Sequence, residues 1–367
     1  MTAEDGRHMA HALALGRRGM GQCWPNPAVG CIIVKAGRVV GRGWTQPGGR
    51  PHAETEALVM AGGAARGATA YVTLEPCSHH GQTSPCCVAL AEAGIARVVA
   101  PVSDSDARVD GQGFEYLRKH GVQVTTGVGA SEAFLDHAGF FSRVSQGRPW
   151  VTLKLAMTLD GRIATATGES QWITGPTARR TVHGLRASHD AVMVGAGTAR
   201  ADDPQLTVRG FGQRRQPVRV VVSRLIDVPL MSELARSVRD VPLWLCHGPE
   251  ARTELKTAWE GLGARLLPCQ ITGGRIDPSS LLQALGAEGL TRVFCEGGGQ
   301  LAASLLLRDL VDELHVFSAG VTLGAEGFPG VGALGVAHLS DAPRFSLVDV
   351  RVSGQDIQHV WRRSESS

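Results

Sequence analysis

Aromatic residues make up only 5% of this 367-residue chain. So sparse a supply argues against the stacking platforms that hold single-stranded nucleic acids. Basic runs are missing as well. The 37 lysines and arginines nearly balance 34 aspartates and glutamates, for a formal net charge of +3, so a nucleic-acid partner is not expected. No apolar run approaches the ~18 residues of a membrane span. Met1 to Asp5 lack the basic start and apolar core of a secretory signal. The expectation is a cytoplasmic protein with no membrane partner. In that reducing setting the eight cysteines read as thiols or metal ligands rather than as a disulfide framework.

At this length two domains are the better expectation. Strand and helix patterns alternate, which predicts α/β architecture. A helical pattern covers 4–19, and a hairpin is expected from 29–34 and 39–44. A helix over 51–61, a strand over 68–74 and a helix over 85–93 follow. Then come a strand over 97–101, a helix over 113–120 and a strand over 122–126. The polar stretch Ser142 to Pro149, with Gly147, reads as a linker, so domains of 1–146 and 147–367 are expected. In the second, strands are predicted over 150–157, 191–194, 218–222, 243–246, 293–295 and 313–318. Helices are predicted over 177–187, 279–285 and 300–307. Arg236 to Gly289 carries no motif of use.

The chemistry-bearing pattern is His52-Ala53-Glu54, then Pro76-Cys77, then Cys86. One histidine and two cysteines bind Zn²⁺ and leave a tetrahedral position for water. Glu54, too near His52 to be a further ligand without strain, suits proton transfer. His-x-Glu with Pro-Cys and a second cysteine is the signature of zinc deaminases acting on amino-substituted bases, although that pattern has two residues between the cysteines and Ser78 to Pro85 make eight here. Pro85 places Cys86 in a first helical turn, where exposed N–H groups favour a thiolate. Cys87 points about 100° away and reads as core, as do Cys23, Cys31, Cys246, Cys269 and Cys295. A closed structural zinc site is the rival and would need a fourth ligand; His79 and His80 are nearby, though they fit the wall of a substrate pocket better.

The second half is less explicit. No Gly-x-Gly-x-x-Gly stands between a predicted strand and helix, so a Rossmann site is not supported. Gly195-Ala196-Gly197-Thr198 and Glu296-Gly297-Gly298-Gly299 each follow a strand. Their backbone N–H groups can cradle a phosphate, or each can be a tight turn and nothing more. Asp160-Gly161 reads as a hairpin turn.

These motifs carry a resemblance. Pro25-Asn26-Pro27-Ala28-Val29-Gly30, His52-Ala53-Glu54 and Thr73 to Gly81 through Pro85-Cys86 resemble the deaminase domain of the bifunctional riboflavin-biosynthesis family. That family fuses a diaminohydroxyphosphoribosylaminopyrimidine deaminase to a 5-amino-6-(5-phosphoribosylamino)uracil reductase, and the eight-residue gap is its own. Lys154-Leu155-Ala156, Thr158 to Arg162, Gly168 to Thr174, Ala201 to Arg209 and the Glu-Gly-Gly-Gly turn look like its reductase domain.

The resemblance implies a cytidine-deaminase-like three-layer α/β/α domain followed by a dihydrofolate-reductase-like α/β domain that uses NADPH. It implies His52, Cys77 and Cys86 as zinc ligands, Glu54 as the catalytic proton carrier, and Asn26 and His79 at the deaminase substrate. Ala156, Trp172, Thr198, Asp202, Ser223 and the run Gly298, Gly299, Gln300, Leu301, Ala302, Ala303 and Ser304 would contact NADPH. Ser170, Arg186, Leu206, Arg209 and Glu296 would hold the reductase substrate, with Arg186 and Arg209 as phosphate clamps. One departure is visible: the family usually has Asp or Asp-Ser after the strand that ends at Val222, and this chain has Ser223-Arg224. A phosphorylated pyrimidine is the expected substrate, and a homo-oligomer the expected state. Two other readings are weaker. A nucleoside or tRNA-type deaminase would want a basic or aromatic RNA surface. A zinc-stabilised binding module would have no need of Glu54.

Overall fold

Thr2 and Asp5 cap one another: the Asp5 N–H donates to the Thr2 hydroxyl and the Thr2 N–H to the Asp5 carboxylate, both at 3.1 Å. This capping box opens α1 (Ala3–Gly16). The computed structural model describes residues 2–78, 84–104, 111–212 and 215–364. They divide into two units, Met1–Gly147 and Arg148–Ser367. Among them no helix is long and apolar enough to cross a membrane.

In the first unit α1 is followed by β1 (Gly30–Lys35), β2 (Arg38–Trp44), α2 (Ala53–Ala61), β3 (Thr69–Val72) and α3 (Cys86–Glu92). Then come β4 (Arg97–Ala100), α4 (Gln112–Lys119), β5 (Gln123–Thr126) and α5 (Ala130–Gln146). The sheet order is β2-β1-β3-β4-β5, with β1 antiparallel to both neighbours and β3, β4 and β5 parallel. Strand alternation sorts the core into two layers. Cys31 and Ile33 pack with Ala53, Ala57, Leu90 and Leu117 from α2, α3 and α4. Ile32 and Val34 pack with Met9, Leu13 and Ala133 from α1 and α5. The result is the expected three-layer α/β/α domain.

The linker expected at Ser142 to Pro149 is mostly helix. α5 runs through Gln146, and Gly147, at φ 68°, closes it with an N–H bond to the Arg143 carbonyl. Ser142 to Gln146 form the last turn of an amphipathic helix whose buried side includes Ala138 and Phe140. Polar composition there reflects one exposed face, not a connector.

The second unit runs β6 (Trp150–Thr158), β7 (Arg162–Ala164), α6 (Pro176–Ala187), β8 (Ala191–Gly195), α7 (Ala196–Asp202), β9 (Val218–Val222), α8 (Glu233–Arg236) and β10 (Leu243–His247). It continues with α9 (Thr253–Leu262), β11 (Arg265–Pro268), β12 (Ile271–Thr272), β13 (Arg275–Ile276), α10 (Pro278–Ala287), β14 (Arg292–Cys295) and α11 (Gly299–Leu306). β15 (Glu313–Ala319), β16 (Phe328–Pro329), β17 (Phe345–Ser353) and β18 (Asp356–Arg363) complete it. Its main sheet has the order β11-β10-β9-β8-β14-β6-β15-β18-β17. The first seven strands are parallel and the β17–β18 hairpin is antiparallel. Asp160-Gly161 does turn the chain, with Gly161 at φ 78°, but β7 pairs with β16 and not with β6. Asp160 instead accepts from Thr158 and from the N–H groups of Leu323 and Gly324. Gly330 to Gly335 has the bare Gly-x-Gly-x-x-Gly spacing, but it follows a two-residue strand and opens no helix.

Candidate functional site

Close packing aims the first unit's site. A Cβ on Gly41 or Gly43 of β2 would lie 2.2 Å or 2.1 Å from the carbonyl oxygens of Ala57 and Ala53. Only glycine lets α2 settle so near the sheet. That seat fixes His52, the N-cap of α2, and Glu54 in its first turn. Cys77 follows β3 on a loop, and Cys86 is the first residue of α3.

These elements bring three donors together. The Nδ1 of His52 lies 3.3 Å from Cys86 Sγ and 3.7 Å from Cys77 Sγ. All three ligand atoms fall within 4.8 Å of one another. Zn–S and Zn–N bonds at a tetrahedral angle need an S···N separation of about 3.6 Å, so the donor set fits zinc in kind and in spacing. Cys87, by contrast, packs into the core beside Leu90 and Val72.

Charge favours the same chemistry. The Cys77 thiol is held down at about 4, first by a hydrogen bond from the Cys86 thiol and then by His52 and the Cys86 N–H, against the opposing cost of burial. That N–H, at the start of α3, reaches Cys77 Sγ at 3.3 Å, as a helix N-terminus serves a thiolate. Cys86 itself is pushed up by its bond to Cys77 and by burial, and His52 is raised by its bond to Cys77. Glu54 is buried, and burial lifts its carboxyl to about 7 despite the countering charge of His52. Such a group can both take and give a proton near neutrality.

A cavity of about 100 Å³ opens on this cluster, lined by Asn26, His52, Glu54 and Cys77. Asn26 is oriented by donating its amide to the Gly49 carbonyl at 2.8 Å. His79 and His80 lie outside the described residues. Sequence reasoning missed Arg50, Asp104, Phe140 and Arg143 on the cavity wall. It also quoted Glu75 without giving it a task. Glu75 is buried and accepts from four backbone N–H groups, those of Asp104, Gly111, Gly113 and Phe114, at 2.9 to 3.2 Å. It ties the loop that carries Cys77 to the start of α4.

The second unit holds a cavity of about 990 Å³ at the carboxyl ends of its parallel strands, the usual place for ligands in such sheets. Ala156, Ser170, Trp172, Thr198, Asp202, Leu206, Arg186, Arg209, Glu296, Gly298, Gly299, Gln300, Leu301 and Ser304 all line it. Three expected contacts do not. Ala302 and Ala303 are on the buried face of α11. Ser223 is buried just past β9, its hydroxyl donating to Asp227 at 2.6 Å, and its neighbour Arg224 faces the cavity instead.

Arg186 lines the cavity already paired. Its guanidinium is taken up by both oxygens of Glu296 and by the Thr207 carbonyl, because a buried carboxylate needs a cation beside it. Burial alone would raise Glu296, but Arg186 and Lys154 hold it below its usual range. Of the two expected phosphate clamps, Arg209 is the one with no ion pair among the described residues. Lys154, an unassigned lysine in an apolar strand, is pushed down by burial and faces Glu296, Arg186 and Asp202. A charge inside the run Trp150 to Met157 was the signal that could have marked it. The Gly297–Gly299 turn suits a dinucleotide phosphate. Gly297 and Gly298 have φ of 95° and 82°, and a Cβ on Gly298 would lie 3.1 Å from Thr198 Oγ1. The N–H groups that open α11 are therefore left uncovered.

Comparison with known proteins places both halves. Residues 2–102 match the cytidine and deoxycytidylate deaminase zinc-binding region, and residues 149–359 match the RibD C-terminal domain. The chain is 42% identical to the riboflavin biosynthesis protein RibD of Escherichia coli (strain K12), over 96% of this chain and 98% of that one. It is 36% identical to RibD of Aquifex aeolicus (strain VF5), over 98% of each. Among solved structures, Acinetobacter baumannii RibD, form 1, superposes with a TM-score of 0.88 at 36% identity, covering 99% of both chains. A diaminohydroxyphosphoribosylaminopyrimidine deaminase/5-amino-6-(5-phosphoribosylamino)uracil reductase from Thermotoga maritima gives a TM-score of 0.86 at 32% identity, covering 98% of this chain and 99% of that one.

Proposed function

The chain belongs to the RibD family of riboflavin-biosynthesis proteins, and we propose that its deaminase and reductase domains act in succession on one phosphorylated pyrimidine. The first hydrolyses an exocyclic amine of a diaminohydroxyphosphoribosylaminopyrimidine. The second reduces the ribosyl group of 5-amino-6-(5-phosphoribosylamino)uracil to ribityl. The observation that carries this reading is the His52, Cys77 and Cys86 cluster with Glu54 buried beside it.

Zn²⁺ held by those three residues would polarise water as the nucleophile. Glu54 takes one proton from the attacking water and passes it to the ring nitrogen, then takes the second from the new C–OH group and passes it to the departing amine. The C–N bond breaks, C–O forms and ammonia leaves. Asn26 orients the base, and burial keeps bulk water from Glu54.

In the second unit bound NADPH would supply hydride. Lys154 would serve as proton donor: as hydride reaches C1′ and the C1′–O4′ bond opens, it would protonate O4′. Glu296 and Asp202 hold the ammonium in place, and Arg209 grips the ribose phosphate. A homo-oligomer belongs to the same reading, supported by edge strand β17, whose Leu347, Val348, Val350 and Val352 are exposed, a liability that proteins cover. Thiol ligands suit a reducing compartment, so the cytoplasm is the proposed location.

Incubation with the diaminopyrimidinone phosphate, with and without NADPH, tests the scheme. Ammonia should appear in both, and NADPH should be consumed in step with it. NADPH oxidation without ammonia release would reverse the order of steps, and ammonia from zinc-free protein would remove the metal from the scheme.

A further inference from the structure

One face of α6 looks into the large cavity. Arg179, His183 and Arg186 line it, at the i, i+4 and i+7 spacing of a single helix face. Arg179 lies over the Trp172 ring at 4.6 Å, and Arg186 is committed to Glu296. His183 takes no part in the chemistry proposed above. What it holds is main chain. Its Nδ1 accepts the Arg209 N–H at 3.3 Å, which assigns the ring proton to Nε2. Burial and the charges of Arg186 and Arg209 push the ring below its ordinary value and keep it neutral, against Glu296 and the Thr207 main chain.

The bond matters because of where it falls. Pro204 to Arg209 belongs to no helix or strand, and among the described residues no main-chain pair holds it. Leu206 lies in the left-handed region at φ 54°, a conformation its surroundings must enforce. Side chains do so. Leu206 is buried in a core with Val192, Val221 and Phe294. The Thr207 carbonyl accepts from Arg186 at 2.8 Å. The Val208 N–H donates to Gln216 at 2.7 Å, and the Val208 carbonyl accepts from Gln216 at 3.2 Å. His183 adds the last tie, at Arg209. Beyond it Gly210 and Gly212, at φ 77° and 71°, turn the chain. Arg209 is exposed and has no ion pair among the described residues, so its guanidinium goes where its main chain aims it. We infer that His183 is a positioning residue for the reductase: it fixes the main chain of Arg209, and through it the guanidinium that takes the substrate phosphate. The inference rests on Arg209 as the phosphate clamp proposed above. Without the tie, binding has to reorder the arm, a cost that falls on substrate affinity rather than on hydride transfer.

Steady-state NADPH oxidation by the full-length protein tests this, with 5-amino-6-(5-phosphoribosylamino)uracil and NADPH varied one at a time. His183→Ala should raise KM for the pyrimidine by about 3–10-fold, the worth of one neutral hydrogen bond, and keep kcat and KM for NADPH within about twofold. His183→Asn places an amide where Nδ1 was and should stay within about twofold of wild type throughout. Arg209→Ala should raise KM for the pyrimidine by about 10–100-fold. The double variant should show no higher KM than Arg209→Ala, because an arm without its charge has nothing left to aim. Effects that multiply in the double variant would put His183 on the substrate itself and overturn the inference. So would a rise in KM for NADPH equal to that for the pyrimidine, or a loss in His183→Asn as large as in His183→Ala. An unchanged KM in His183→Ala beside a raised one in Arg209→Ala overturns the inference and leaves the clamp standing. An unchanged KM in Arg209→Ala overturns the clamp as well.

Discussion

The Nδ1 of His52 lies 3.3 Å from the Sγ of Cys86, across 34 residues of chain. Two helix starts make that meeting, since His52 caps α2 and Cys86 opens α3. The adjacent Cys87 turns into the core. Cys86→Ser should therefore abolish stoichiometric zinc, and Cys87→Ser should keep both metal and ammonia release. Metal analysis of the purified variants decides between them. Zinc lost from Cys87→Ser and kept in Cys86→Ser would show that the wrong thiol has been assigned.

Glu54→Gln should retain zinc and fold but lose ammonia release by roughly 10²–10⁴-fold, the usual worth of a positioned proton carrier. Its neutral amide matches the shape of the buried carboxyl and cannot shuttle protons. Reductase turnover on supplied deaminated intermediate should be unchanged. Loss of zinc in this variant would make Glu54 a ligand or a support for one.

How much of this could be read from the chain follows from the range of the interactions. The His52, Cys77 and Cys86 cluster was legible because its chemistry is rare and its spacing is local at each helix start. The parallel strands were legible because strands buried on both faces are continuous apolar runs, as Val218 to Val222 is. The ion pair of Arg186 with Glu296 was not legible, because the two are 110 residues apart and nothing local announces that pairing. Ser223 and Arg224 are neighbours whose side chains face opposite ways past the end of a strand, so a one-residue ambiguity exchanged a core residue for a cavity residue. The β17–β18 hairpin was overlooked although Val348, Val350 and Val352 alternate. Their apolar face points outward, against the usual rule.

Acid sensitivity has a local source in the second unit. Burial would raise Glu313, but hydrogen bonds and charge from His315 and Arg362 outweigh it and hold the carboxyl at about 2. A carboxylate depressed in the folded state contributes stability that is complete above its unfolded pKa and is lost as pH falls through the folded one. The window is thus about pH 5 down to pH 2. Glu313→Gln should be less stable than wild type at pH 7, and the gap should close as pH drops through that window. Urea unfolding at a series of pH values measures it, and a gap independent of pH would rule out this carboxylate.

The last prediction concerns where the two halves can be separated. α5 is closed at Gly147, and the second unit begins at Arg148. Arg148 is no passive connector. Its guanidinium makes two bonds to the buried Asp312 carboxylate, at 2.7 and 2.8 Å. The same carboxylate accepts from the Val151 N–H at 2.8 Å and from Arg363 at 2.9 Å, so it gathers the first and last strands of the unit. A cut after Gly147 should give a 1–147 fragment that releases ammonia and a 148–367 fragment that reduces supplied intermediate. A fragment that starts at Trp150 loses Arg148 and leaves Asp312 with the Val151 N–H and Arg363. Removing one partner of a buried pair costs about 3–5 kcal/mol, and the remaining guanidinium offsets part of that. The 150–367 fragment should melt roughly 5–10 °C below the 148–367 fragment, at the ~2–4 °C per kcal/mol usual for a domain of this size. Equal melting temperatures would show that Arg148 anchors nothing.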